Sequence, residues 1–272
     1  MPRASVTLTD HDLAPIRALV EEAGHIALSF FKDGARTHAA VHFKGDHSPV
    51  TEADIAVDKF LRDRLTSLIP EAGWLSEESV DDLSRLNQSL TWIVDPIDGT
   101  RAFSEGGRDW AISVALVYEG APIAGIIWAP ALAMHYEATL GTAARRNGQP
   151  ITVSHQSSLE GARVAGPNGM LKALRHQGHA IIPMPREPSL ALRIVRVADA
   201  TLDAGLATGN AHDWDIAAAD LIVREAGGNL STVSGTPLRY NTRTPVHGCL
   251  ISANNVLAPQ LQTVLTEHEA AP

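Results

Sequence analysis

The chain has 272 residues, of which 22 are basic and 31 acidic, so its formal net charge is −9. This charge argues against a protein that binds nucleic-acid polymers non-specifically, and hydrophobic and charged contents of 44% and 19% exclude an intrinsically disordered chain. The single cysteine, Cys249, excludes a disulfide framework or a cysteine zinc cluster and suits a reducing compartment.

The first predicted elements are two helices and a strand. Apolar residues at helical spacing predict a helix over residues 12–31. A second helix is predicted from about Thr51 to Leu68, because Thr51 and Asp54, three residues apart, resemble a capping box. Residues 91–94 are apolar and lead into Asp-Pro and Asp-Gly, which predicts a buried strand followed by a turn.

Three further strands are predicted before residue 150. Residues 111–118 and 121–129 flank Glu119 and Gly120, which indicates a hairpin. Residues 136–139 add a third strand to it. The first half of the chain is therefore expected to hold an antiparallel sheet with helices, an α+β arrangement.

Beyond residue 150 strands and helices alternate, which predicts an α/β arrangement. We therefore divide the chain near residue 150. Residues 1–150 are predicted to form an α+β metal-binding part, and residues 151–272 an α/β part that completes the metal and substrate site. The predicted strands are 162–166, 179–183, 201–208 and 249–253, and the predicted helices are 190–200, Asp213 or Asp215 to Ala226, and from Asn255 onward.

The sequence has no targeting or membrane signal. Its first ten residues lack the apolar core of a signal peptide, and no apolar stretch approaches the ~20 residues that a membrane span needs. We therefore expect a cytoplasmic protein without a membrane partner.

The acidic excess is concentrated in residues 46–109, which hold 14 acidic and 6 basic residues. Four acidic clusters lie where predicted elements begin or end, so their side chains can point into one cleft. Each cluster by itself is explained by helix capping, turn formation or solvation. The clusters contain Asp54, then Glu77 and Glu78, then Asp95 and Asp98, and finally Asp213 and Asp215.

Together the clusters favour a site for a hard divalent cation. The turn after the strand at 91–94 can direct Asp95, the Ile97 carbonyl and Asp98 toward one point. Thr100 adds a hydroxyl that can hold a water molecule. Oxygen ligands are those that Mg²⁺ prefers, and closely spaced carboxylates would repel one another without a cation. The histidines lack the spacing of zinc ligands, so Mg²⁺ is the expected ion.

These motifs match, in order and spacing, those of the inositol monophosphatase superfamily, and the resemblance extends over residues 12–260. It implies a Mg²⁺-dependent, lithium-sensitive phosphomonoesterase with a layered α/β/α/β/α sandwich fold. The matching segments are VTEAD (50–54), LSEES (75–79), WIVDPIDGT (92–100) and WDIAAADLIVREAGG (214–228).

The resemblance also implies a role for each site residue. Water would attack phosphorus in line, without a covalent enzyme intermediate, at a site that holds two or three Mg²⁺ ions. A small phosphorylated substrate and a homodimer are implied as well. The implied metal ligands are Glu77, Asp95, the Ile97 carbonyl, Asp98 and Asp215; Asp54 and Thr100 would orient and activate the water; Gly99, Thr100 and Arg101 would donate to the phosphate.

Within the superfamily, the sequence resembles the 3′(2′),5′-bisphosphate nucleotidase (CysQ-type) branch. The segments DGTRAF (98–103), GGRDWAISVAL (106–116) and GTPLRYN (235–241) are similar to that branch. Inositol phosphatases usually have a glutamate seven residues before the metal-ligating aspartate, where this chain has Thr208. We therefore expect hydrolysis of the 3′-phosphate of adenosine 3′,5′-bisphosphate.

The charge of residues 143–196 is consistent with a substrate that has a second phosphate, because the segment holds eight basic residues and two acidic ones. Arg193 and Arg196 are three residues apart and can share a helix face. A solvated basic surface explains most of the set more simply. The eight are Arg145, Arg146, Arg163, Lys172, Arg175, Arg186, Arg193 and Arg196.

Other functions stay open at the level of sequence. Inositol 1-phosphate and histidinol phosphate are alternative substrates, because the same metal core serves all three reactions. A non-catalytic regulatory protein on the same fold is the alternative from another class. A structural cation-binding module would not need Asp54 together with Thr100.

Overall fold

The computed structural model describes residues 8–43 and 49–269, and these residues contain seven α-helices. None of these helices is long and apolar enough to span a membrane. Two short 3₁₀ helices lie at Ser84–Asn87 and Pro130–Leu132. The α-helices are α1 (Asp10–Phe30), α2 (Glu52–Leu68), α3 (Thr100–Glu105), α4 (Asn168–His176), α5 (Leu190–Ala198), α6 (Asp213–Glu225) and α7 (Leu257–Glu269).

The strands form two large sheets and two small antiparallel pairs, β1 with β2 and β13 with β15. They are β1 (Val41–Phe43), β2 (Pro49–Thr51), β3 (Gly73–Ser76), β4 (Leu90–Asp98), β5 (Ala111–Tyr118), β6 (Ala121–Ala129), β7 (Met134–Thr139), β8 (Arg145–Arg146), β9 (Gln149–Pro150), β10 (Arg163–Ala165), β11 (Ile182–Pro183), β12 (Ala204–Ala207), β13 (Ala211–His212), β14 (Gly228–Thr232), β15 (Val246–His247) and β16 (Leu250–Asn254).

The first sheet has the strand order β3-β4-β5-β6-β7-β8-β9 and is antiparallel except for the parallel pair β3 and β4. The second sheet has the order β11-β10-β12-β16-β14, in which β10, β11 and β12 run parallel and β16 runs antiparallel to both of its neighbours. The carboxyl ends of β10, β11 and β12 therefore lie at one edge of this sheet.

Five layers follow from the packing of helices on these sheets. Helices α1 and α2 cover one face of the first sheet, α5 and α6 lie between the two sheets, and α4 and α7 cover the far face of the second. The middle layer packs closely, because a Cβ atom at Gly125 of β6 would lie only 2.8 Å from the Ala218 carbonyl oxygen of α6. The predicted α/β/α/β/α sandwich is confirmed, while the division at residue 150 stays a prediction.

The structure also contains elements that the sequence patterns did not predict. Helix α4 begins among turn-forming residues, Pro167, Asn168 and Gly169. It is stabilised because its apolar face is buried against α7 and the second sheet. Strand β14 begins at Gly228, directly after the end of α6, and it is stabilised by pairing with β16. Strand β4 extends through Asp98 because a bulge keeps the Asp-Pro-Ile-Asp segment paired with β5.

Candidate active site

Three carboxylates from two different elements converge at one point. Asp95 and Asp98 lie on the bulged end of β4, and Asp215 lies in the first turn of α6. One oxygen of each lies within 4.8 Å of the other two, so the three could hold a metal ion together. The side chain of Asp95 is held by a residue of the same segment, because the Ile97 amide donates to its Oδ1 at 3.0 Å.

Glu77 reaches the same cluster because β3 and β4 are parallel. It directly follows β3, and its amide donates to the Val94 carbonyl of β4 at 3.3 Å. Parallel pairing places the ends of the two strands side by side, so Glu77 lies next to Asp95. Its charge contributes to the raised pKa of Asp54, Asp95, Asp98 and Asp215.

Asp54 and Thr100 form a buried hydrogen-bonded pair beside the cluster. The predicted capping box is confirmed, since the Thr51 amide donates to Asp54 Oδ2 at 2.8 Å and the Asp54 amide donates to Thr51 Oγ1 at 3.4 Å. The hydroxyl of Thr100 lies 3.2 Å from Asp54 Oδ1 and 2.9 Å from the Ile97 carbonyl oxygen. Asp54 therefore serves as a helix cap with one oxygen and faces the cluster with the other.

The turn from β4 to α3 needs a glycine at position 99. Gly99 has a φ of +96°, and a Cβ atom there would lie 3.0 Å from the Asp109 carbonyl oxygen. Gly99 caps α3, so Thr100 and Arg101 are its first residues. The Thr100 side chain points inward to Asp54, whereas Arg101 is exposed and lines a cavity of about 270 Å³ beside Arg36.

Ser189 contacts the acidic cluster, and this contact was not predicted from the sequence, although Pro188-Ser189 stands where the resembling family usually has Gly-Ser. It caps the N-terminus of α5, and its hydroxyl donates to Asp98 Oδ2 at 2.5 Å. The Ala191 amide donates to the same oxygen at 2.6 Å. A serine before an apolar helical segment is a typical N-cap signal, but nothing in the sequence indicates that the cap also binds Asp98. The start of α5 thereby contacts the acidic cluster.

The four aspartates of the site lie close together in a largely buried position, which raises the pKa of each. Burial is the largest cause for all four aspartates; it raises the pKa of Asp54 and Asp98 to about 6 and the pKa of Asp95 and Asp215 well above the usual range. The charged groups that raise the pKa of Asp95 further are all carboxylates. A bound cation would offset the repulsion between these carboxylates and favour their charged forms.

The other predicted groups have structural partners. Asp213 is fully buried and accepts hydrogen bonds from the Asn241 amide at 2.7 Å and the His247 ring at 2.7 Å. Arg193 and Arg196 do share a face of α5, and on that face both contact Glu187: Arg193 donates to its carbonyl at 2.7 Å and Arg196 pairs with its carboxylate at 2.6 Å. These two contacts attach the loop before α5, which contains Glu187, to the helix.

Comparisons with known proteins show the family of the chain and agree with its fold. The sequence model of the inositol monophosphatase family matches residues 9–269. A 3′(2′),5′-bisphosphate nucleotidase CysQ of Aggregatibacter actinomycetemcomitans is 30% identical over 251 residues, 87% of this chain and 90% of the relative. A histidinol-phosphatase of Chlorobaculum parvum is 32% identical over 267 residues, 92% of this chain and 95% of the relative. A solved structure of an IMPase from Thermotoga maritima has a TM-score of 0.82 at 27% identity and covers 94% of this chain and 97% of that one.

Proposed function

The chain belongs to the inositol monophosphatase family and is a phosphatase, and from this premise we propose that it uses Mg²⁺ to hydrolyse the 3′-phosphate of adenosine 3′,5′-bisphosphate. The observation that supports metal-dependent chemistry best is the convergence of the buried Asp95 and Asp98 with the partly buried Asp215, one oxygen of each lying within 4.8 Å of the others. Carboxylates in this arrangement are stable as anions only beside a cation.

The donor set fits Mg²⁺. Glu77, Asp95, Asp98, Asp215 and the Ile97 carbonyl offer only oxygen atoms, which suit a hard cation rather than Zn²⁺. We propose these five groups as the ligands. Bound Mg²⁺ would lower the pKa of the attacking water, polarise the phosphoryl oxygens and neutralise charge on the leaving oxygen.

Asp54 and Thr100 are proposed to orient the water and remove its proton. The Thr100 hydroxyl has one hydrogen, and when it donates to Asp54 Oδ1, 3.2 Å away, its lone pairs can accept a hydrogen from water. The proton that the water loses can then pass to Asp54. Burial raises the pKa of Asp54 to about 6, near enough to neutral pH for this carboxylate to accept a proton and release it later.

The phosphate is proposed to bind where α3 begins. Gly99 and Thr100 would donate from their backbone amides, and the exposed Arg101 would add a positive charge.

The resemblance also implies a homodimer, which stays part of the proposal. The 3′-ester is favoured by two facts: Thr208 replaces the glutamate usual in inositol phosphatases, and a relative 30% identical over 251 residues is named a bisphosphate nucleotidase.

Histidinol phosphate is the second candidate substrate. The relative named histidinol-phosphatase is 32% identical and covers 92% of this chain. The metal ligands proposed here would serve that ester equally well, so the part of the site that binds the leaving group must decide between them.

The proposed substrate and metal are tested in one kinetic panel. We expect kcat/KM for adenosine 3′,5′-bisphosphate to exceed that for histidinol phosphate and inositol 1-phosphate by about tenfold or more. One additional charged contact between enzyme and substrate is enough to produce a difference of about this size. Treatment with a chelator should remove phosphate release from every ester, and added Mg²⁺ should restore it. A tenfold advantage for either monoester contradicts the proposed substrate, and activity that survives chelation contradicts the proposed metal.

A further inference from the structure

We propose that Arg186 binds a second phosphate on the substrate and so determines the preference for bisphosphorylated esters. This inference rests on the proposed function and assigns one residue to the specificity of the same site. The metal ligands would be occupied by the reacting phosphate, so a second phosphate needs a cation of its own.

Arg186 lies on the loop that leads to the acidic cluster, three residues before Ser189. The carboxyl ends of β10, β11 and β12 share one edge of the second sheet, and residues 184–188 run from β11 to the start of α5 along that edge. Ser189 ends this segment and binds Asp98 through its hydroxyl at 2.5 Å. Because consecutive Cα atoms are 3.8 Å apart, the Cα of Arg186 lies within about 11 Å of that of Ser189.

The loop that holds Arg186 is fixed at its next residue. The backbone carbonyl of Glu187 accepts a hydrogen bond from Arg193 at 2.7 Å, and its carboxylate pairs with Arg196 at 2.6 Å. Arg193 is 2% exposed and also donates to the Leu206 carbonyl, so it joins this loop to β12. Two arginines therefore hold the loop in place before substrate binds, which reduces the entropy lost on binding.

Arg186 is an exposed cation close to a buried one. The pKa of Arg193 is lowered to about 10, chiefly by burial and also by the charge of Arg186, against the opposing charges of Asp98 and Glu187. Arg186 itself makes no hydrogen bond or ion pair with any residue in the described ranges. Its guanidinium group therefore remains available to bind an anion.

The other basic residues of segment 143–196 are less suitable. Arg146, Arg163 and Arg196 pair with Asp199, Asp203 and Glu187. Arg193 is buried against backbone carbonyls. Arg145 lines a cavity on the α1 side of the first sheet, and Lys172 and Arg175 lie in α4 after its first turn. Arg186 alone among these eight combines exposure with a place on the loop that leads to Asp98.

The test compares two esters that react at the same 3′-oxygen and differ only in the 5′-phosphate, adenosine 3′,5′-bisphosphate and adenosine 3′-phosphate. Arg186→Ala should lower the ratio of their kcat/KM values about tenfold or more, because a charge-assisted bidentate contact is lost. Arg186→Lys should restore part of the ratio, since lysine keeps the charge without the planar fork. Arg175→Ala, an exposed arginine of α4, should leave both values unchanged.

The outcomes separate this inference from the proposed function. An unchanged ratio in Arg186→Ala, or an equal loss on both esters, overturns the role of Arg186. A wild-type enzyme that releases phosphate with Mg²⁺ but prefers neither ester also overturns it, and leaves the phosphatase chemistry intact. A wild-type protein that hydrolyses none of the esters with Mg²⁺ contradicts the proposed function itself.

Discussion

Asp95→Asn is expected to reduce Mg²⁺-dependent phosphate release by about 10³-fold or more, equivalent to ~4 kcal/mol of transition-state stabilisation. Asp95 is 1% exposed, and one of its carboxylate oxygens lies within 4.8 Å of an oxygen of Asp98 and of Asp215. Asparagine has nearly the same size but has no charge to hold the cation. The loss should therefore appear in phosphate release without a change in fold.

The same substitution is expected to stabilise the metal-free protein at neutral pH. Burial and four neighbouring carboxylates raise the pKa of Asp95, so its charged form opposes folding. The folded chain then binds protons more tightly than the unfolded chain, and stability falls as the pH rises from the ordinary carboxyl range through the folded pKa. For Asp54 and Asp98 this folded pKa is about 6.

Thermal unfolding after chelation measures this effect. Metal-free Asp95→Asn should unfold at a higher temperature than metal-free wild type at pH 7.5, and the difference should shrink as the pH approaches 4. Added Mg²⁺ should stabilise the wild type and not the variant. Asp63→Asn provides the matched control, because Asp63 is exposed on α2 and pairs only with Lys59 within the described residues. A variant that keeps full activity would show that Asp95 is not a metal ligand.

Thr100→Val is expected to lower kcat by about 10²- to 10³-fold with little change in KM, because general-base assistance to the water is lost. Valine has the shape of threonine but cannot bridge the 3.2 Å to Asp54 Oδ1 or the 2.9 Å to the Ile97 carbonyl. Steady-state kinetics with saturating Mg²⁺ separates kcat from KM.

Thr100→Ser is the control for this prediction. Serine keeps the hydroxyl, so its kcat should stay within about fivefold of the wild type if the proton path requires only that group. A valine variant with more than half of the wild-type kcat would exclude Thr100 from the proton path. A serine variant as inactive as the valine variant would point to packing at Thr100 rather than to its hydroxyl.

The parts of the site that depend on local sequence were predictable. Thr51 and Asp54 have the spacing of a capping box, and the structure forms that box with Asp54 turned toward Thr100. The segment from Asp95 to Asp98 brings two carboxylates together because only two residues separate them, although this segment is a bulged end of β4 and not the predicted turn. These contacts depend on spacing within one element, which a sequence displays directly.

The contacts between distant segments could not be predicted in the same way. Ser189 binds Asp98 across 91 positions of the chain, and only the assembled layers bring α5 to the end of β4. Arg193 and Arg196 have the spacing of a helix face, yet their contact with Glu187 depends on how the loop before α5 folds back. Charge and periodicity indicate which residues are neighbours on a helix, but they do not indicate what that helix packs against.

The most direct test of a cation site is a crystal structure of the protein grown or soaked with Mn²⁺, a hard cation that binds the same oxygen ligands as Mg²⁺ and scatters anomalously. We predict an anomalous peak bounded by the carboxylates of Asp95, Asp98 and Asp215, and its absence from crystals of Asp95→Asn. Crystals of the wild type without a peak between these three side chains would contradict the metal site on which the proposed chemistry depends.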